Sequence, residues 1–167
     1  MAENHRFCFI LDRLRSAHNT GNIFRIAEAV GASEIIACGY TPAPPHPKLE
    51  KTAMGTDKTV PCRVFKTAAD AIGALRSEGY RMILAAEPGD IRDFAWSREY
   101  EFPLAVIFGN EALGVSAEAL ELADGRVSLP MAGSKASINV GNAAAAIAYA
   151  IVSVTGGTFD KGDSLPL

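Results

Sequence analysis

Residues Phe7 to Gly39 read FCFILDRLRSAHNTGNIFRIAEAVGASEIIACG: an apolar run, a helical pattern and a second apolar run. FCFIL, Phe7 to Leu11, has the length and composition of a buried strand. Asn19 then offers an N-cap, and Ile23, Ile26, Ala27 and Val30 recur at helical spacing until Gly31 stops the helix. EIIACG, Glu34 to Gly39, reads as a second buried strand. The same alternation continues outward. Tyr40 to Thr59 (YTPAPPHPKLEKTAMGTDKT) carries four prolines, which exclude a regular strand and leave room for only a short helix. Further strands are expected at Val60–Phe65, Arg81–Ala86, Leu104–Phe108 and Arg126–Leu129. Thr67 caps an expected helix to Glu78, with Asp70 in its first turn, and Ser116 caps a short one to Ala123. An alanine-rich helix runs from about Asn139 to Val154. Strands alternating with helices predict an α/β fold: a single, mainly parallel sheet with helices on both faces. One domain over residues 1–167 is expected, with a loose tail from about residue 156.

Composition narrows the class. The chain has 167 residues, 49% hydrophobic and 21% charged, ordinary values for a globular domain with a sizeable core. No apolar run approaches the roughly 20 residues that span a bilayer, so no membrane association is expected. MAENHRF lacks the pattern of a secretory signal, and Cys8, Cys38 and Cys62 are odd in number and far apart. A reducing cytoplasm is the expected location. The net charge of −3 argues against a broadly basic nucleic-acid face. Any such face must be local, and Arg13, Arg15, Arg25, Lys48, Lys51 and Lys58 are its candidates.

In open α/β sheets, ligand sites collect beyond the carboxyl ends of the strands. Three segments there have unusual composition: Asn19–Arg25 (NTGNIFR), Phe108–Gly114 (FGNEALG) and Leu129–Val140 (LPMAGSKASINV). Each has a plain structural reading. Asn19 and Gly21 suit a cap and a tight turn, Gly109 and Gly114 a turn, Glu111 a first-turn acid, and Ser137 and Asn139 a helix cap. Together they fit one site better: Gly109 lets a ligand approach the backbone, Leu129, Pro130 and Met131 offer apolar walls, and Ser137 and Asn139 offer polar partners. Other chemistries fit poorly. Gly109 to Gly114 has P-loop spacing, but Val115 stands where lysine is needed. No GxGxxG follows the first strand. His5, His18 and His46 have no metal-ligand spacing, so no metal is expected. Gly133-Ser134 lacks the second glycine of a nucleophile elbow, and the cysteines read as inert core.

These three segments, in this order, resemble the signature motifs of the SpoU/TrmH RNA methyltransferases of the SPOUT superfamily. Asn19 to Ala32 is similar to motif one, Val106 to Ser116 to motif two, and Leu129 to Ala150 to motif three. Gly141 departs from the serine common in relatives, a change expected to alter helix capping. The resemblance implies a C-terminal trefoil knot, a homodimer, and S-adenosylmethionine (SAM) as donor for methylation of an RNA ribose 2′-hydroxyl in tRNA or rRNA. Connection rules alone would have drawn an open, unknotted sheet. By motif, Leu84, Gly109, Leu129, Met131 and Ser137 are expected at the cofactor, and Arg25 is the catalytic arginine, with Asn19, Glu111 and Asn139 holding the arrangement. A guanidinium keeps its proton up to a pKa above about 12, so clamping a phosphate while polarising the hydroxyl suits Arg25 better than general-base work. The rival reading is a catalytically silent, knotted RNA-binding protein. It draws on the acidic net charge, against which every named catalytic position is filled. A nucleotide-binding α/β enzyme of unrelated chemistry is a further rival, separable by SAM binding.

Overall fold

The computed structural model describes residues 5–155, and the tail expected from about residue 156 lies outside them. Six strands, β1 (Phe7–Asp12), β2 (Ile35–Cys38), β3 (Cys62–Phe65), β4 (Met82–Ala86), β5 (Leu104–Gly109) and β6 (Gly125–Val127), form one sheet. Every pairing is parallel and the order is β3-β2-β1-β5-β4-β6. Five α-helices connect or follow them: α1 (Ala17–Val30), α2 (Pro47–Ala53), α3 (Ala68–Ser77), α4 (Ala117–Leu122) and α5 (Val140–Val154). The expected α/β architecture, one sheet with helices on both faces, is the one that forms.

The two-residue period of the strands divides the core. Phe7, Phe9 and Leu11 of β1 join Val106 and Phe108 of β5 in one apolar cluster with Ile23 and Phe24 of α1 and Ile147 and Ile151 of α5. The alternate residues Cys8, Ile10, Ala105 and Ile107 join a second cluster with Ile72 and Leu75 of α3 and Ala119 of α4. All six residues of β1 are buried, which is why it reads as an unbroken apolar run rather than an alternating one. Phe9 and Phe108 meet edge to face at 5.5 Å between ring centroids. A fully buried phenylalanine contributes about 1.5–3 kcal/mol by leaving water, so these rings are a large part of the core.

Expectations of two kinds need correction, at helix starts and at one glycine. Helix α1 begins three residues earlier than Asn19 suggested. Ser16 is its N-cap, its Oγ accepting the Asn19 N–H at 3.1 Å, and Asn19 lies inside the first turn. Serine and asparagine are comparable caps, so composition alone could not choose between them. Gly31 does end the helix, in the left-handed region at φ 68°. Ser116 precedes α4 as expected, but its side chain makes no capping bond; the buried carboxylate of Asp12 instead accepts the Ser116 N–H at 2.7 Å.

The second correction concerns Gly21, read as a turn residue. It sits mid-helix in α1, where α2 crosses closely. A Cβ there would lie 2.6 Å from the Leu49 carbonyl oxygen and 2.8 Å from the Thr52 Cβ. Alanine in a helix interior is favoured over glycine by about 1 kcal/mol. Here overpacking, at roughly 1–3 kcal/mol, acts against backbone atoms that cannot rotate away. Gly21→Ala is therefore expected to be net destabilising, read as a lower urea midpoint with unchanged slope.

Candidate functional site

The strand order reverses between β1 and β5. From β1 the chain steps outward to β2 and β3, whereas β5, β4 and β6 lie on its other side. Ligands in open α/β sheets gather at such a reversal, beyond the carboxyl ends of the strands. A cleft of about 1030 Å³ opens there, walled by residues 86–89 after β4, 108–114 after β5 and 127–140 after β6. Of the residues expected at the site, Asn19, Gly109, Glu111, Leu129, Met131, Ser137 and Asn139 line it. Leu84 does not. It is 0% exposed inside β4, in the apolar cluster with Phe108 and Val127, so it backs the wall. Arg25 is not in the lining either, and lies exposed on α1.

Three of the expected residues form one hydrogen-bonded line. The Glu111 carboxylate accepts the backbone N–H groups of Arg15 at 2.9 Å and Ser16 at 3.1 Å, together with the Asn19 amide at 3.1 Å. Asn19 Oδ1 in turn accepts Asn139 Nδ2 at 3.0 Å. Asn139 Oδ1 caps α5 by accepting the N–H groups of Gly141 and Asn142. The acid in the loop after β5, the first turn of α1 and the start of α5 are thereby tied together. Asn22, one turn after Asn19, closes the same corner: a Cβ on Gly141 would stand 2.6 Å from its Nδ2. Gly141 thus leaves room for Asn22 while its N–H takes part in the cap.

The loop carrying Glu111 is held by Asn110, which is 4% exposed. Its Nδ2 donates to the Arg13 carbonyl at 2.7 Å and to the Tyr40 hydroxyl at 3.0 Å, while its Oδ1 accepts the N–H groups of Ala112 and Leu113. Its backbone exchanges two hydrogen bonds with Gly114, closing the loop. Gly109 is explained by that closure. A Cβ there would stand 2.2 Å from Gly114 C and Val115 N, so the glycine admits the protein's own backbone. A larger residue at Gly109 would break the loop, and its effect on binding would not report on the cleft.

The opposite wall is unlike this. Among the described residues, no group from Leu129 to Ile138 makes a hydrogen bond to another residue, and the segment is largely exposed. At its base Ser128 is 5% exposed, yet its Oγ has no partner among the described residues. One wall is therefore rigid and satisfied, and the other has free donors and acceptors beside the apolar surfaces of Phe108, Leu129 and Met131. Asp12, Asn110 and Ser128 were not singled out from sequence. An acid ending a buried strand and an asparagine four residues before a glycine were legible signals for the first two; Ser128 had none.

The cysteines fit the inert reading. Burial pushes the Cys8 and Cys38 thiols up to about 12 and Cys62 to about 11, far from thiolate at neutral pH. Burial would also raise the Glu111 carboxyl. The N–H groups of Arg15, Glu111 itself and Ser16, with the Asn19 amide, outweigh it and hold the group below the ordinary carboxylate range. A depressed pKa contributes stability that is present above the unfolded-state value and lost as pH falls through the folded one. The stability difference between the protein and Glu111→Gln should therefore be present at neutral pH and shrink under acid. Chemical denaturation of both at a series of pH values checks this; a gap independent of pH would contradict it.

Similarity to known proteins covers the same residues. The SpoU rRNA Methylase family pattern matches residues 6–149. The tRNA (guanosine(18)-2′-O)-methyltransferase of Thermus thermophilus is 38% identical over 140 residues, covering 84% of this chain and 71% of that protein. The 23S rRNA (uridine(2479)-2′-O)-methyltransferase of Streptomyces viridochromogenes is 35% identical, over 86% of this chain and 51% of its own length. Among solved structures, the SpoU methyltransferase AviRb from Streptomyces viridochromogenes in complex with AdoMet superposes with a TM-score of 0.78 at 29% identity. It covers 94% of this chain, which spans 63% of AviRb. With its pattern matched over residues 6–149, this chain belongs to the SpoU rRNA Methylase family.

Proposed function

We propose that this protein is a SAM-dependent RNA ribose 2′-O-methyltransferase acting on tRNA or rRNA. The observation that carries the reading is the contrast between the two walls of the cleft: unspent hydrogen-bonding groups from Ser128 to Ile138 face the fixed Glu111–Asn19–Asn139 line. A buried hydroxyl without a partner is costly unless a ligand or water satisfies it, which makes Ser128 a test of fit. An adenosyl group, a flat ring with polar edges, suits such a wall. Leu129 and Met131 would flank it, Ser137 would offer a hydroxyl, and Leu84 would support the wall from behind. When bound, SAM supplies a methyl group on a positively charged sulfur, to which the ribose 2′-oxygen is the acceptor.

The protein's residues then act by position. Glu111 orients Asn19, Asn19 orients Asn139, and the line fixes the mouth of the cleft where the ribose must enter. Arg25 presents a planar guanidinium fork that can hold a phosphate and donate to the 2′-oxygen. The hydroxyl proton leaves to a phosphate oxygen or water. Isothermal calorimetry with SAM tests the pocket, and comparison of 2′-O-methyl groups in RNA from cells with and without the gene tests the activity. Arg25→Ala is expected to keep SAM affinity and melting temperature, since the residue is exposed, while methyl transfer falls on the order of 100-fold, as for loss of a transition-state donor. Arg25→Lys should rescue little, because a point charge does not reproduce the fork. Unfolding of Arg25→Ala, or intact single-turnover transfer, would remove Arg25 from the mechanism. SAM binding without any transfer to RNA would favour the silent RNA-binding reading.

A homodimer in a cytoplasmic setting is part of the same proposal. The apolar residues of α5 give it limited support, because Ile147, Ile151 and Val152 are already buried within the chain. The place of Arg25 gives more. It is exposed and outside its own chain's cleft, where a second copy could present it. Sedimentation over a dilution series should show a dimer at micromolar concentration, and a monomer there would refute it. If Arg25 serves the partner's cleft, mixing Arg25→Ala with a variant unable to bind SAM should restore activity. We also carry forward the C-terminal trefoil knot: β6 joins the far side of β4, yet α5 returns to pack on α1.

A further inference from the structure

Tyr40 stands at the carboxyl edge of the sheet, two residues after β2, and is 58% exposed. An exposed tyrosine is ordinarily free to move. Here both ends of the residue are fixed. The hydroxyl lies 3.0 Å from Asn110 Nδ2, on the amide that also closes the Glu111 loop. The backbone is fixed on either side, by the Gly39 N–H on the Phe65 carbonyl at 3.1 Å and the Thr41 N–H on the Cys38 carbonyl at 3.2 Å. The Thr41 hydroxyl is buried within 3.0 Å of the Leu11 and Cys38 carbonyls. The ring is thus held in one orientation with apolar surface left to water.

Its surroundings identify what would cover it. Arg13 passes beside Gly39, where a Cβ would stand 3.0 Å from the Arg13 Cγ, and its carbonyl shares Asn110 with the Tyr40 hydroxyl. Arg15, two residues on, is exposed and joined through its N–H to Glu111. Lys48 and Lys51 are exposed on α2, which follows Tyr40 in the chain. Trp96 and Tyr149 are also exposed, but neither bonds to the Glu111 loop. A fixed aromatic face with Arg13 beside its turn, adjoining a site for ribose, fits an unstacked nucleobase whose neighbouring phosphates meet basic side chains. Fixing the ring in advance removes the ordering cost that a mobile tyrosine would incur on binding.

We propose that Tyr40 is a stacking platform for a nucleobase of the RNA substrate, next to the nucleotide whose ribose enters the cleft. This rests on the RNA-modification reading and adds a substrate-binding residue to it. Stacking should be indifferent to base identity and to salt, unlike the phosphate contacts around it.

The test measures filter binding and methylation kinetics with bulk tRNA and rRNA from cells lacking the gene, using Tyr40→Ala, Tyr40→Phe and Tyr40→Trp. Tyr40→Ala is expected to weaken RNA binding and raise the RNA KM roughly 5- to 100-fold, the range for loss of one base–aromatic stack. SAM affinity and melting temperature should match those of Tyr40→Phe, which loses the same hydrogen bond to Asn110, and the RNA-binding ratio to wild type should persist as salt rises. Tyr40→Phe and Tyr40→Trp keep an aromatic face but lose the hydroxyl that holds it on Asn110, so each should fall between wild type and Tyr40→Ala. Unchanged RNA binding in Tyr40→Ala overturns the proposal. So does Tyr40→Phe failing as badly as Tyr40→Ala, which would assign the residue to holding the loop through its hydroxyl. Wild-type protein with no RNA affinity would overturn both this inference and the function it rests on, and is seen before any variant is made.

Discussion

The Glu111 carboxylate accepts three donors that approach from α1, two of them backbone N–H groups at the entry to that helix and one the amide of Asn19. Helix N-termini leave donors without intrahelical partners, and an acid brought there satisfies them and favours the positive end of the dipole. What is unusual is the source of this acid, 95 residues away along the chain from Ser16. It arrives only because β1 and β5 are neighbours in the sheet. With Asn19 fixed by Glu111, its other amide atom is left to hold Asn139, and Asn139 sets the start of α5. Removing the carboxylate would free the first turn of α1, then the link to α5, and so the mouth of the cleft.

The sheet supplies the frame for this. A parallel strand pair needs a crossover between its members, and here the crossovers cover both faces. All loops at the carboxyl edge can then converge on one place. Division of labour follows. The loop after β5 is closed on itself through Asn110 and Gly114, while among the described residues the segment from Leu129 to Ile138 makes no hydrogen bond. A site with one rigid wall and one adaptable wall can orient a reacting group against the first and accept a ligand against the second.

The fold was legible because its central strands are buried on both faces, so that FCFIL and LAVIF stand out as apolar runs bounded by glycine and polar residues. Helix stops were legible at Gly31, which has one conformational use. Of the helix starts, that of α3 was legible at Thr67, but at α1 Ser16 and Asn19 had equal claims as caps, and only the arrival of Glu111 assigns Asn19 to the site. Gly21 was recognised as constrained but for the wrong reason, and the room that Gly109 gives to the Gly114–Val115 backbone went unread. Both make room for other parts of the chain, a long-range fact that local composition does not contain. Ser128 was invisible, since a serine at the end of a short strand is ordinary until its burial and missing partner are known. Leu84 entered through resemblance alone and proves to lie behind the wall; Arg25, singled out also as a basic residue of the NTGNIFR segment, lies outside the cleft of its own chain.

Asn110 uses every hydrogen-bonding position of its amide: two donors spent on Arg13 and Tyr40, one oxygen shared by Ala112 and Leu113. An amide at this place is therefore directional, and hydrolysis to aspartate, a change of one atom in side-chain shape, would invert its polarity on one side. The new carboxylate oxygen would face the Arg13 carbonyl, acceptor against acceptor, in a position shielded from water. Ageing chemistry at a single side chain would then loosen the connection after β1, the exposed ring of Tyr40 and the loop that carries Glu111 together, although none of those residues had itself been altered.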